Sequence, residues 1–202
     1  MTRTSLTTIL AVTAIGLGIV LQVRAEGEEN SLSPSKVSFP ESYAEGILYM
    51  TANRPMNPNS RMAGPENIAQ YREYYVTAAA IEALRKGDPA PSGTTITMVQ
   101  YRAQLDADGN PLKDDAGHFI KGELFGFGVK EKRTGWGAEY PSEMRNGEWE
   151  FQVFKADAKP NNNANRTACF QCHKSQMSKD FLFTFDKIKA AAARLGQRRM
   201  GS

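Results

Sequence analysis

Alternating apolar and polar positions predict a β-sheet in the middle of the chain. Four segments have the alternation, or the β-branched and aromatic content, that is typical of strands: 68–76, 94–103, 123–130 and 148–154. In the last of these, Trp149, Phe151 and Val153 fall on one face. Because short loops and not crossover helices separate the last three of these strands, we expect an antiparallel sheet.

Helical spacing and capping residues predict four short helices around this sheet. The first helix follows Pro40 and carries Tyr43, Ile47 and Leu48. The second runs from a Thr77 cap to Lys86, with Gly87 beyond it. The third follows a Thr167 cap, and the fourth covers 187–195. The Pro-, Gly- and Asn-rich stretch 53–67 is predicted to be a loop. The expected fold class is therefore α+β, an antiparallel sheet with short flanking helices.

The first 25 residues have the pattern of a secretory signal peptide. Arg3 precedes an apolar stretch over 6–21, and Val23-Arg24-Ala25 has the form of a cleavage site. We therefore expect export to the periplasm with removal of residues 1–25. An uncleaved N-terminal membrane anchor is the alternative, because the apolar stretch is only slightly shorter than a membrane span.

Composition divides the rest of the chain into three parts. Residues 26–38 are acidic and rich in serine, with little apolar content, which predicts a flexible linker. Residues 39–195 carry the strand and helix patterns and form the predicted folded domain. Residues 196–202 are predicted to be a disordered tail.

The charge balance argues against a nucleic-acid partner. The whole chain has 25 basic and 22 acidic residues, but Arg3 and Arg24 lie in the predicted leader. The mature chain would then carry a net charge of about +1, with no dense basic run before Arg198. A surface that follows a phosphate backbone needs more positive charge than this.

The strongest chemical signal is Cys169-Phe170-Gln171-Cys172-His173, a Cys-x-x-Cys-His motif. It contains both cysteines of the chain and one of its two histidines. This motif is the attachment site of c-type haem: each thiol forms a thioether with one vinyl group, and the histidine binds the iron. We therefore predict one covalent haem c per chain, with His173 as the iron ligand.

Other uses of the motif fit less well. A structural zinc site needs four ligands, and the only histidine or cysteine that could join the three of the motif is His118, which is distant in the chain. A thioredoxin-like pair would follow a strand, whereas Asn161, Asn162 and Asn163 precede this motif in a polar loop. The stretch 106–110 resembles the start of a calcium loop. The position where such a loop requires glycine holds Pro111, so we interpret the stretch as a hairpin turn.

No residue is an obvious sixth ligand for the iron. Met177 lies one helical turn after His173 and would face the same side of the haem. His118 falls in a Gly- and Asp-rich hairpin, where an exposed turn residue is expected. An open coordination position favours binding or activation of a small molecule over pure electron transfer.

Several segments, in order along the chain, resemble the cytochrome P-460 family, which includes the β-sheet type of cytochrome c-prime. They are 40–43 (PESY), 72–76 (REYYV), 93–97 (GTTIT), 147–151 (GEWEF), 167–174 (TACFQCHK) and 183–184 (FT). The resemblance extends over about residues 39–192. It implies a homodimeric haem protein whose sheet forms the distal wall of the haem pocket.

The resemblance also implies roles for distal residues. Family members that oxidise hydroxylamine use a lysine that is cross-linked to the porphyrin, and the matching position here is Met98. Met98 has three interpretations: core filler, apolar lid over the iron, or weak axial ligand through sulfur. Arg72 matches a family arginine near the distal pocket, and it points either inward or to solvent. Glu123 is the nearest candidate acid or base by strand position, with a solvated glutamate at the strand edge as the favoured interpretation.

Two functions follow from these residues. The first is a periplasmic c-type haem protein with an open iron site that binds or transforms a small nitrogen oxide such as nitric oxide. The alternative is an oxidoreductase that oxidises hydroxylamine or peroxide, and a plain electron carrier is less favoured. A redox partner cytochrome fits any of these functions. The residues do not decide between binding and turnover.

Overall fold

The computed structural model describes residues 32–56, 68–86 and 88–200, with the backbone alone for 198–200. Within these residues, five strands form one antiparallel sheet in sequence order. The strands are β1 (Ile47–Arg54), β2 (Gln70–Val76), β3 (Thr95–Ala103), β4 (Lys121–Lys132) and β5 (Trp149–Lys155). The helices are α1 (Ala78–Lys86), α2 (Arg166–Lys174) and α3 (Phe185–Met200), with 3-10 turns at Tyr43–Glu45 and Met177–Lys179. The predicted α+β class is confirmed.

Strand β1 corrects one prediction. Ile47 and Leu48 were expected on a helix after Pro40, but only Tyr43–Glu45 is helical, and Ile47 begins a strand. Over so short a segment, the few apolar positions fit a helical period and a strand period equally well. Pairing with β2 decides the outcome, because it gives the backbone of β1 its hydrogen-bond partners.

Both predicted helix caps also differ from the structure. Helix α2 begins at Arg166, and its cap is Asn165, whose side chain accepts a hydrogen bond from the backbone N–H of Ala168 at 3.0 Å. Thr77 precedes α1, but its buried hydroxyl has no hydrogen-bond partner among the described residues. Its backbone carbonyl accepts from Ala80 instead. Gly87 lies outside the described residues.

The ends of the domain are more ordered than predicted. In the described part of the expected linker, 32–38, the backbone N–H of Lys36 donates to the Glu150 carboxylate at 2.9 Å, and Val37 is buried. The expected disordered tail instead continues α3 to Met200. Contact of α3 with α1 explains this extension, since tertiary packing stabilises helices more than propensity does. Residues 1–31, with the predicted signal peptide, lie outside the described part.

The two faces of the sheet are covered differently. The segment before β1 covers one face, where Phe39 packs edge-on against Phe127 and Phe154. The helices cover the other face, and Trp149 and Phe170 are fully buried there. No helix in the described ranges is long and apolar enough to cross a membrane. The helix-covered face also borders a cavity of about 460 Å³.

Candidate functional site

A cavity of about 460 Å³ lies between α2 and the helix-covered face of the sheet. Its volume is in the usual range for cofactor pockets, roughly 300 to 1,000 Å³. Cys169, Cys172 and His173 line it from α2, and all five strands contribute residues from the sheet. The Cys-x-x-Cys-His motif therefore faces an internal space and not the open surface.

Helix α2 is held against the sheet by side chains that bind backbone carbonyls. At its start, the Arg166 guanidinium donates to the carbonyl of Phe151 at 3.0 Å. In its middle, the buried amide of Asn146 donates to the carbonyl of Phe170 at 2.9 Å. At its end, the Lys174 ammonium donates to the carbonyls of Ser142 and Arg145, both at 2.7 Å. These contacts fix the position of the motif relative to the cavity.

The two cysteines are free thiols in this arrangement. They are not joined in a disulfide, although they lie one helical turn apart on the cavity side of α2. Burial raises the pKa of Cys169, so its thiol stays protonated at neutral pH. Two free thiols on the cavity side of one helix are the groups that covalent attachment of a haem would use.

His173 has the hydrogen bonding expected of an iron ligand. Its ring packs beside Phe151 and Phe183, with centroid distances of 4.8 and 5.0 Å. Its Nδ1 lies 2.7 Å from the carbonyl oxygen of Phe181. A carbonyl can only accept, so Nδ1 carries the hydrogen and Nε2 is left as the nitrogen with a free lone pair.

The charge state of His173 also suits a ligand. Burial, and to a smaller extent the Lys130 ammonium, lower its pKa to about 4, although the bond to Phe181 acts in the opposite direction. The imidazole is consequently neutral at physiological pH. Neutral imidazole is the form that binds a metal.

Met98 lines the cavity from β3, so it is more than a core filler. It pairs with Gly128 on β4, and a Cβ atom at Gly128 would lie only 2.8 Å from the Met98 methyl carbon. The absence of a side chain at Gly128 therefore gives Met98 its space. The Met98 sulfur accepts a weak hydrogen bond from the Gln100 amide at 3.9 Å.

Arg72 points into the cavity, which settles the orientation that the sequence left open. Its guanidinium donates to the side-chain oxygen of Gln70 at 2.9 Å, and burial lowers its pKa. Arg54 lines the same cavity from the edge strand β1. Two guanidinium groups thus bring positive charge to a mostly apolar space.

Lys130 is the cavity residue that the sequence interpretation missed. It stands on β4 opposite Ile96, on the same face as Gly128 and therefore beside Met98. Burial lowers the pKa of its ammonium to about 7, although Cys169, Asp180 and Cys172 act to raise it. Its two-residue spacing from Gly128 puts Lys130 on the same face of β4 as that glycine. Only the pairing with β3 places Gly128 opposite Met98.

The remaining candidates lie away from the cavity. The Glu123 side chain is 82% exposed and pairs with Arg102 at the far end of β4, so its proposed distal role is wrong. His118 is exposed in the hairpin between β3 and β4, near Asp114. Met177 is 64% exposed in the turn after α2. The strand position of Glu123 indicated the correct strand but the wrong end of it.

The family model for cytochrome P460 matches residues 40–184, well over half of the chain. The chain belongs to the cytochrome P460 family. No curated protein matches it.

Membership in the cytochrome P460 family makes this chain a haem protein. The residues fit that cofactor in three respects: two free thiols face the cavity, a neutral imidazole beside them has Nε2 free, and the surrounding wall is largely apolar. The match begins at Pro40 and ends at Thr184, so it includes the sheet, α2 and the turn that carries Phe181. It therefore covers every cavity residue discussed above.

Proposed function

We propose that this chain is a periplasmic c-type haem protein that binds or transforms a small nitrogen oxide such as nitric oxide. Cys169 and Cys172 would hold one haem covalently, and His173 would bind its iron through Nε2. When bound, the haem supplies an iron coordination position for a small ligand. The observation that carries the proposal is the single cavity that joins this motif to Met98 and the sheet.

The residues of the sheet prepare the cavity for a small ligand. Met98, Ile96 and Val153 make its wall apolar and restrict water. Arg72 and Lys130 add positive charge that would attract an anionic or partly reduced nitrogen species. The carbonyl of Phe181 holds the imidazole ring of His173 in one orientation on the α2 side of the cavity.

Location and assembly remain part of the proposal. Export rests on the leader-like residues 1–25, and an uncleaved membrane anchor is its alternative. A homodimer and a redox partner cytochrome rest on the resemblance. Size-exclusion chromatography with light scattering on the periplasmic fraction would test both the location and the dimer.

Absorption spectra of the reduced, haem-loaded protein test the open site. We expect broad high-spin bands that shift when nitric oxide or carbon monoxide is added, because the apolar Met98 leaves a coordination position available. Met98→Leu should keep this response, with Met177→Leu as an exposed control. Sharp low-spin bands that ignore both gases would contradict the proposal, and gas binding gained only in Met98→Leu would identify the Met98 sulfur as a ligand.

A second candidate function is oxidation of hydroxylamine or peroxide, and Lys130 is the observation that favours it. The resemblance associates that activity with a lysine amine at the porphyrin. Here Met98 occupies the matching position, but β4 supplies an amine to the same cavity. The missing lysine on β3 therefore does not exclude the oxidoreductase.

Lys130→Gln is expected to remove a pH dependence from anion binding. Above a pKa of about 7 the Lys130 amine loses its charge, so the affinity of the oxidised protein for nitrite should fall. The fall should reach at most about tenfold per pH unit. Nitrite titrations from pH 6 to 9 measure it, with Lys130→Arg keeping the charge and Lys155→Gln as a surface control.

Two results would change this picture. An unaltered pH profile in Lys130→Gln would remove Lys130 from the ligand site. A far-red-shifted absorption band that is present in the natural protein and lost in Lys130→Gln would instead support the oxidoreductase.

A further inference from the structure

We infer that Asp180 is a positioning residue for His173, acting from the sheet through the backbone of Phe181. The inference rests on the proposed function in one respect, the assignment of His173 as the iron ligand. It concerns a cluster that neither the motif nor the family match assigns: Asp180, Lys132, Trp149 and the Phe181 carbonyl.

The backbone that presents this carbonyl has an unusual conformation. Asp180 and Phe181 have φ values of 51° and 58°, so two consecutive residues other than glycine adopt the left-handed region. Side chains with a Cβ atom disfavour this region, and successive occurrences need support from surrounding contacts. The conformation therefore points to specific contacts that hold the turn.

Asp180 receives such contacts from two strands of the sheet. Its carboxylate accepts from the Lys132 ammonium at 3.0 and 3.1 Å and from the indole N–H of Trp149 at 3.2 Å. Lys132 and Trp149 are a cross-strand pair at the ends of β4 and β5. Trp149 is fully buried and the Lys132 side chain is 13% exposed, so solvent screens this cluster less than a surface ion pair.

Phe181 is fixed at both its backbone and its ring. Its N–H donates to the carbonyl of Gln176 at 2.8 Å. Its ring lies against Gly147, where an added Cβ atom would approach the ring to 3.1 Å. Within the described ranges, the Phe181 carbonyl accepts from the Nδ1–H of His173 at 2.7 Å.

The cluster thus gives the imidazole a sheet-anchored acceptor. An acceptor at Nδ1 increases the electron donation of the other ring nitrogen and sets the ring orientation. Stronger donation favours ferric over ferrous iron. Loosening the Asp180 turn should weaken the hydrogen bond, lower the iron–histidine stretching frequency and raise the reduction potential.

The test is Asp180→Asn in the haem-loaded full chain. This change removes the charge that binds Lys132 and keeps the size of the side chain. Resonance Raman spectra of the reduced protein and a redox titration are the readouts. We expect a lower iron–histidine frequency and a potential raised by up to about 59 mV, equivalent to a tenfold shift between the oxidation states.

Matched variants separate positioning from general stability. Trp149→Phe removes one donor to Asp180 together with part of a buried ring, and should move both readouts in the same direction by less. Asp186→Asn makes the same chemical change in a surface pair with Lys179, where the carboxylate is 69% exposed, and should move neither. If Asp180→Asn fails to accumulate, Trp149→Phe and Lys132→Gln test the positioning role with the same two readouts, the iron–histidine frequency and the reduction potential.

The outcomes distinguish this inference from the proposed function. Unchanged frequency and potential in the Asp180 and Trp149 variants, with a spectrum that still responds to substitution of His173, would overturn the positioning role alone. A spectrum that does not respond to substitution of His173 would overturn the ligand assignment, and the inference with it.

Discussion

Replacing both Cys169 and Cys172 by alanine should leave no haem on the polypeptide after denaturing electrophoresis. These are the only two cysteines of the chain, so no other thiol can take their place. They share the cavity face of α2, where each of them would form one of the two thioethers. Haem staining and intact-protein mass spectrometry measure the loss, which we expect to be complete.

Single variants and a distant control sharpen this experiment. Cys169→Ala and Cys172→Ala should each retain a one-bond adduct in reduced yield, because one thioether can still form. His118→Ala alters the exposed hairpin and should keep full haem content. Covalent haem in the double variant would contradict the assignment of the motif.

Replacing His173 by glycine should keep the haem attached and change its spin state. Both thiols remain in His173→Gly, so the thioethers can form, but the imidazole is gone. The vacated space lies beside the rings of Phe151 and Phe183, which are aromatic neighbours that suit a free imidazole. We therefore expect millimolar imidazole to restore the natural absorption spectrum.

This rescue separates ligand loss from misfolding. A misfolded variant would not regain its spectrum when imidazole is added, and circular dichroism would show the loss of structure directly. His118→Gly should need no rescue. A natural spectrum in His173→Gly without imidazole would assign the iron ligand to another residue. Lys130 would be the first candidate, and the Lys130→Gln variant would test it.

Local patterns were sufficient for much of the fold. The strands around 95–103 and 149–155 were predicted within about one residue, because β-branched and aromatic residues alternate there and fit a pleated surface. Strand β1 was not predicted, because Ile47 and Leu48 have no period long enough to separate strand from helix. Its hydrogen bonds to β2 are non-local and leave no mark in its own residues.

The cavity illustrates the same division. Cys169, Cys172 and His173 were found because their spacing is local chemistry on one helix. Lys130 was missed because its position depends on pairing with β3, which places it beside Met98. Glu123 was assigned too close to the cavity, because strand order does not say which end of a strand the cavity meets.

The amino-acid sequence by itself supplied the groups that a covalently attached haem would use: two thiols and an imidazole, spaced so that one short helix brings them together. It also determined that the chain would form an antiparallel sheet. Only the tertiary structure decided which side chains face the motif, and which backbone carbonyl binds Nδ1 of His173. Those contacts join residues from β4, β5 and the turn after α2, and such long-range neighbours are selected by packing of the whole domain.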